Sequence, residues 1–472
     1  MTERLKSMGL WAATFALVSL ISLFTAGCSQ DKGPSLSQVP ANAEYVALID
    51  ADSAEIAEVI PTYAAEMLGS VKECVSLKEI MVYKPAETRQ PIVAIAATDA
   101  NALAKALTDS GMLPTKHSGE TVYIPVDGND FSPCLAIAEG SLWCFGSKAD
   151  VANWQKSLKQ AEKESFEKYG LEKFMAQRKQ VLAFVNPASL GFAGEESMIK
   201  IEAAITGNTL QASGCIISVA EGSVGENIPL KGPEPMTDMT FLRYMPEGNG
   251  LILAGGLTGA INWSGIVDML GQGLDTRNQG MLQTLLPYMS SLRGTTAIGI
   301  GPFTPQNICS EELESQSIVI YAPMADGKAA EAVNEINTNL KAKGLTPTPR
   351  ADGIYAYTLG ENRYRYTARD GVFMFALNRE LDGTAHPDST LFAGRQVAAQ
   401  VILPPLSALI PGSKKSTIIN ATFTLTSGGA EFKLTSPGSA NPIEALSAYL
   451  ETLADYGEQA DVETQDYYES YD

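Results

Sequence analysis

Apolar and polar positions change period repeatedly along this chain, and each change marks an element. Val39-Pro40-Ala41-Asn42-Ala43-Glu44-Tyr45-Val46-Ala47-Leu48 reads as a proline-led turn feeding a strand, and so does Met245-Pro246-Glu247-Gly248-Asn249-Gly250-Leu251-Ile252-Leu253-Ala254. The β-rich run Ile92-Val93-Ala94-Ile95 precedes a helical pattern over Ala100 to Leu107. Its counterpart, Ile318-Val319-Ile320-Tyr321, precedes one over Lys328 to Leu340. Strand-like alternation follows at Val122-Tyr123-Ile124 and at Ile354-Tyr355-Ala356-Tyr357. Each stretch then enters a hairpin whose second arm is Gly140 to Phe145 or Gly371 to Phe375, and closes with a strand over Ile199 to Thr206 or Thr417 to Thr424.

The same order of elements occurring twice predicts an internal duplication. The expected fold class is α+β: two tandem homologous units, each a mainly antiparallel sheet with helices on one face. The units are placed at 39–222 and 240–438, joined by a linker at 223–239 that contains Pro229, Gly232, Pro233 and Pro235. The first unit carries an extra helical stretch over Asp150 to Lys179, and the second an amphipathic pair near Trp263 to Leu270 and Met281 to Leu292. A C-terminal helix is expected at 439–457, with Asn441 as N-cap, Pro442 at the first helical position and Glu444 completing a capping box. From Glu451 to Asp472 the chain has eight carboxylates and no basic residue, so 458–472 is expected to be a disordered acidic tail.

The first residues have a different character. Arg4 and Lys6 precede a run from Gly9 to Phe24 without charge, which ends in Thr25-Ala26-Gly27-Cys28. That is the layout of an export signal at 1–27, followed by a polar tether at 28–38. The tetrapeptide resembles the bacterial lipoprotein box, with Thr25 where Leu is commoner, and the resemblance implies diacylglyceryl transfer to the Cys28 thiol. Thioether and amide acyl chains together exceed the two signals that stable anchoring needs. An uncleaved transmembrane helix is the alternative, since roughly 18 apolar residues just span a bilayer. Both readings put the remainder outside the cytoplasm, and the lipoprotein reading places it in the cell envelope, tethered to the outer membrane.

Composition narrows the partners. Hydrophobic residues make up 45% of the chain and charged ones 19%, enough apolar surface for a packed core. A net charge of −20 repels nucleic acid and anionic lipid, so neither is expected as a partner and the bilayer is held through the lipid alone. Beyond Cys28 the cysteines are Cys74, Cys134, Cys144, Cys215 and Cys309. Their odd number forbids complete internal pairing, and their spacing matches no zinc pattern. Cys134 and Cys144 flank a turn at Glu139-Gly140 and are the candidate disulfide, although a two-residue turn sets them one residue out of register.

No catalytic, metal or cofactor residue is expected. His117 and His386 are the only histidines, both in expected loops and neither in a triad frame. No nucleophile elbow, zinc helix, P-loop or dinucleotide fingerprint occurs. Gly191 to Gly194 and Gly428-Gly429 read as turns. The carboxylate pairs Glu195-Glu196, Glu311-Glu312 and Asp50 with Asp52 read as solvated surface, with a glycosidase or calcium site as the sharper alternative. The lipobox, the polar spacer and the strand start Val39 to Asp50 together resemble a group of large uncharacterised bacterial lipoproteins. That resemblance implies location and architecture but no activity. The expected function is a non-catalytic envelope module that binds or scaffolds a protein or glycan. The competing expectation is a hydrolase of carbohydrate or peptide, using carboxylates such as Asp50, Asp52, Glu195 and Glu196 in a cleft between the units.

Overall fold

Side chains that alternate along a strand need a neighbour on each edge and a cover on at least one face, and the computed structural model shows how this chain supplies both. It describes residues 34–50, 71–126, 132–175, 180–190, 196–256, 290–304, 316–410 and 413–453 apart from isolated positions, with Tyr288, Ile308 and Tyr456. The chain divides into two units between Pro229 and Leu230.

The first unit contains β1 (Tyr45–Ile49), β2 (Val75–Lys84), β3 (Ile92–Ala97), β4 (Met112–His117), β5 (Glu120–Pro125), β6 (Cys134–Ala138), β7 (Ser141–Phe145), β8 (Val181–Val185), β9 (Ser197–Thr206) and β10 (Thr209–Ser218). The second contains β11 (Gly250–Gly255), β12 (Thr296–Ile300), β13 (Ile318–Pro323), β14 (Thr348–Pro349), β15 (Tyr355–Leu359), β16 (Asn362–Arg369), β17 (Val372–Leu377), β18 (Val397–Leu403), β19 (Ile419–Thr426) and β20 (Gly429–Thr435).

In the second unit the ten strands form one antiparallel run, β20-β19-β18-β11-β12-β13-β17-β16-β15-β14. The first unit has the runs β10-β9-β8-β1 and β2-β3-β7-β6-β5-β4. They meet where the Glu44 N–H donates to the Lys84 carbonyl at 2.8 Å and the two side chains form an ion pair at 2.6 Å. Strand for strand, the two units share an order.

The expected α+β class is corrected. Antiparallel strands dominate each unit, and the described helices are few: chiefly Ala100–Asp109, Lys148–Ala161, Lys328–Ala342 and residues 442–453. They do not form a helical layer over one sheet face. The core of the second unit is closed mainly by turns, where Phe241 on a short 3-10 helix (Thr240–Tyr244) meets Phe392 edge-on at 5.6 Å. Met236, Met245 and Leu381 complete the cover over Ile252, Ala254, Ala297, Val319 and Ala398. Short apolar runs of this kind suit a helix or irregular chain equally well, which is why the pattern overstated the helices.

The helical stretch expected over Asp150 to Lys179 likewise ends early. After Lys148–Ala161 comes a 3-10 turn (Phe166–Tyr169) closed by Gly170 at φ +61°, then one turn of helix at Glu172–Met175. Trp154 on the longer helix packs against Trp143 and Phe145, with ring centroids 5.1 and 5.2 Å apart. At the far end of the chain the Asn441 side chain accepts from the Ile443 N–H at 2.9 Å and opens the helix over 442–453. Among the described residues, no helix is long and apolar enough to cross a membrane.

Among the described strand residues of the second unit, one sheet face carries no charge. Cross-strand register places Tyr355, Tyr366, Phe375, Ile320, Ile298, Leu253, Ala399, Phe423 and Phe432 in a single row. Leu253 and Ile298 within it remain 43% and 38% exposed, while their sequence neighbours Ile252 and Ala297 on the opposite face are buried.

Candidate functional site

The far edge of the second unit is built from a strand that alternates aromatic and cationic side chains. Along β16, Arg363-Tyr364-Arg365-Tyr366 puts tyrosines on one face and arginines on the other. Register with β15 sorts them further. Tyr355 faces Tyr366 and Tyr357 faces Tyr364, whereas Ala356 faces Arg365 and Thr358 faces Arg363.

On the tyrosine face, Tyr357 and Tyr364 stack with centroids 4.6 Å apart and planes 4° from parallel. The Tyr366 hydroxyl is anchored at 2.7 Å on Asn337 of the helix Lys328–Ala342. Burial pushes the Tyr357 and Tyr366 phenols up to about 12, so both are neutral donors at ordinary pH.

The arginine face holds a notch of about 360 Å³ lined by Leu345, Thr346, Thr348, Ala356, Thr358, Arg363 and Arg365, with Tyr357 and Tyr364 at its margin. Ala356 is half-buried, and Thr346, Thr348, Thr358 and Arg363 are exposed, so the notch is open to solvent. Arg365 is held on two sides: it donates to the Arg379 carbonyl at 2.8 Å and to a Glu380 carboxylate oxygen. The other Glu380 oxygen accepts from Arg350 at 3.1 Å. Arg379 is fixed in turn by bonds to the Gly301 and Met245 carbonyls, at 3.2 and 2.6 Å. Arg363 is exposed, and its guanidinium takes no partner among the described residues. The arrangement can bind an anion, and among the described residues no nucleophile paired with a base lies in it.

The residues singled out by sequence do not converge on this edge. Cys28, Asp52, Glu195, Cys309, Glu311, Glu312, His386 and Gly191 to Gly194 lie outside the described residues, as do most of the amphipathic pair around Trp263 and Met281 and the tail from 458 onwards. Cys134 and Cys144 are both free and buried. Register pairs Cys134 with Phe145 and Cys144 with Leu135, so the two thiols leave the hairpin on opposite faces and form no bridge.

The carboxylates fare similarly. Asp50 follows the end of β1 that pairs through Ile49 with Val181, while Glu196 precedes the end of β9 that pairs through Ile199 with Val185. Those are opposite ends of five-residue strands, about 15 Å apart at ~3.4 Å per residue. A glycosidase pair needs ~5–10 Å. Among the described residues, no group of three or more His, Cys, Asp or Glu side chains is placed to hold a metal ion. His117 ends β4 opposite Glu120, and Gly428-Gly429 makes the turn between β19 and β20.

No family model and no curated protein matches the chain. Among solved structures, a crystal form of TP0453 is similar at 13% identity and a TM-score of 0.27, over 40% of this chain and 80% of that one. A likeness so slight supports no statement about fold or function.

Proposed function

We propose that this protein is a membrane-tethered lipoprotein of the cell envelope that acts by binding and not by catalysis. The observation that carries the reading is the β15–β16 edge, where a notch presents threonines and the Arg363 guanidinium, unpaired among the described residues, while the neighbouring Glu380 carboxylate is tied to Arg365 and Arg350. Attachment rests on the signal and lipobox at Thr25 to Cys28, which free the folded units to present this edge outside the cytoplasm. The partner belongs to the envelope, a protein or glycan, since the net charge disfavours nucleic acid. Hydrolysis through Asp50 and Glu196 together is disfavoured by their placement at opposite strand ends.

The test is capture by the acyl-free full chain from detergent-solubilised envelope, followed by identification of the retained protein or glycan. Repeated recovery of one partner, reduced when Arg363 is replaced by Gln, supports the reading. Recovery of none, or turnover of an envelope polymer by the purified chain, contradicts it.

A further inference from the structure

The second unit assembles cations in a chain that is otherwise strongly acidic. Arg350, Arg363, Arg365, Arg369 and Arg379 fall within thirty residues, against a net charge of −20 for the whole. Most of these guanidinium groups are occupied. Arg369 donates to the Asp352 carbonyl at 2.6 Å, Arg379 to two backbone carbonyls, and Arg350 and Arg365 share Glu380. Arg363 stands apart from this network. It shares the sheet face of Arg365, one strand position pair away, and opposes Thr358.

We propose that the notch binds a small ligand bearing one oxyanion, a carboxylate or phosphate group, together with hydroxyls. This deepens the binding role argued above by naming the ligand's chemistry, and it rests on that reading. The oxyanion sits on Arg363, whose planar fork suits two oxygens at once. Thr346, Thr348 and Thr358 both donate and accept, so they match ligand hydroxyls and not an apolar group.

Size and charge both select a small ligand over a polyanion. The notch holds about 360 Å³, and a chain of net charge −20 repels a polymer whose charges extend beyond the local arginines. Glu380 is the built-in competitor. Its carboxylate is 50% exposed and occupies the side of Arg365 that an incoming anion would otherwise share, so it limits affinity.

The test titrates inorganic phosphate, glucuronate and neutral glucose into the acyl-free full chain by calorimetry. Saturable binding of at least one anion, with glucose binding far more weakly, is expected, and the tighter of the two anions identifies the source of the oxyanion. Arg363→Gln lowers that affinity at least tenfold, in line with a charge-assisted hydrogen bond. Glu380→Gln raises it severalfold, a gain that misfolding cannot imitate. Affinity falls as salt is raised.

Absence of saturable anion binding, equal binding of glucose and glucuronate, or unchanged affinity in Arg363→Gln would overturn the proposal. A Glu380→Gln variant that binds no tighter would overturn it as well. If the wild-type chain captures one envelope partner, and Arg363→Gln captures less of it, while no anion binds, the ligand chemistry fails and the binding role stands.

Discussion

Cys134 and Cys144 lie on neighbouring strands of one hairpin and point to opposite faces of the sheet, because Cys134 opposes Phe145 and Cys144 opposes Leu135. Burial pushes the Cys134 thiol up to about 12 and the Cys144 thiol higher still. At pH 8 a thiol of that kind is ionised in about one molecule in ten thousand. Neither should react with a thiol reagent in the native protein, and mild oxidation should leave both free. Peptide mapping after alkylation under native and unfolding conditions checks this; a Cys134–Cys144 bridge would contradict the hairpin register.

Several phenols add a dependence on alkaline pH. Burial raises Tyr321, Tyr357 and Tyr366 to about 12, and raises Tyr45 and Tyr83 further. Cys134 behaves in the same sense. These groups are neutral when protonated, and the unfolded chain loses their protons at a lower pH than the folded one. Their contribution to stability is therefore complete below about pH 9 and is lost as pH rises towards 12. Chemical unfolding across pH 7–11 should show a flat response at first and a progressive fall above pH 9. A rise in stability over that upper range would contradict the burial of these side chains.

Adjacent residues on β11 should respond very differently to truncation. Ile252 is 4% exposed within the core cluster, and Leu253 is 43% exposed on the uncharged face. Ile252→Ala should cost about 2–4 kcal/mol, whereas Leu253→Ala should cost less than about 1 kcal/mol. Urea unfolding of the two variants measures the contrast. Equal losses would mean that the alternation on this strand is misassigned.

A backbone contact sets a third sensitivity. A Cβ at Gly256 would lie 1.8 Å from the Glu234 carbonyl oxygen, and backbone cannot yield as a side-chain tip can. Gly256→Ala should destabilise by about 3 kcal/mol or more. Gly294, in contrast, has nothing within 4 Å of such an atom, and its positive φ of +73° leaves only the conformational cost of a left-handed residue. Thermal unfolding should therefore rank Gly256→Ala well below Gly294→Ala, and the reverse order would contradict the packing of the Glu234 backbone against Gly256.

Much of the element pattern is legible in the chain. Ile92 to Ile95 lies in β3, Lys328 to Leu340 in a helix, and Glu139-Gly140 at a two-residue turn with φ of +51° and +74°. Asn441 caps its helix because a short side-chain acceptor there meets a free N–H. The class was harder to read, since the residues that close the second unit's core, Phe241 and Phe392, sit in turns without periodicity of their own.

The edge proposed to bind is harder to read from sequence for a different reason. Its signal was present as Arg363-Tyr364-Arg365-Tyr366, a strand period of two that sorts cations from aromatics. Its meaning depends on Glu380, fifteen residues from Arg365 and brought back only by the β16–β17 hairpin.

A lipid tether at Cys28 is the proposal on which the envelope location of a binding module rests. Metabolic labelling with radioactive or alkyne-bearing palmitate tests it directly, using the native chain and Cys28→Ser in cells of the producing organism. The label should enter the native chain, which should fractionate with membranes, and should be absent from Cys28→Ser. Equal labelling of both chains, or an unlabelled native chain recovered free of membranes, would contradict it.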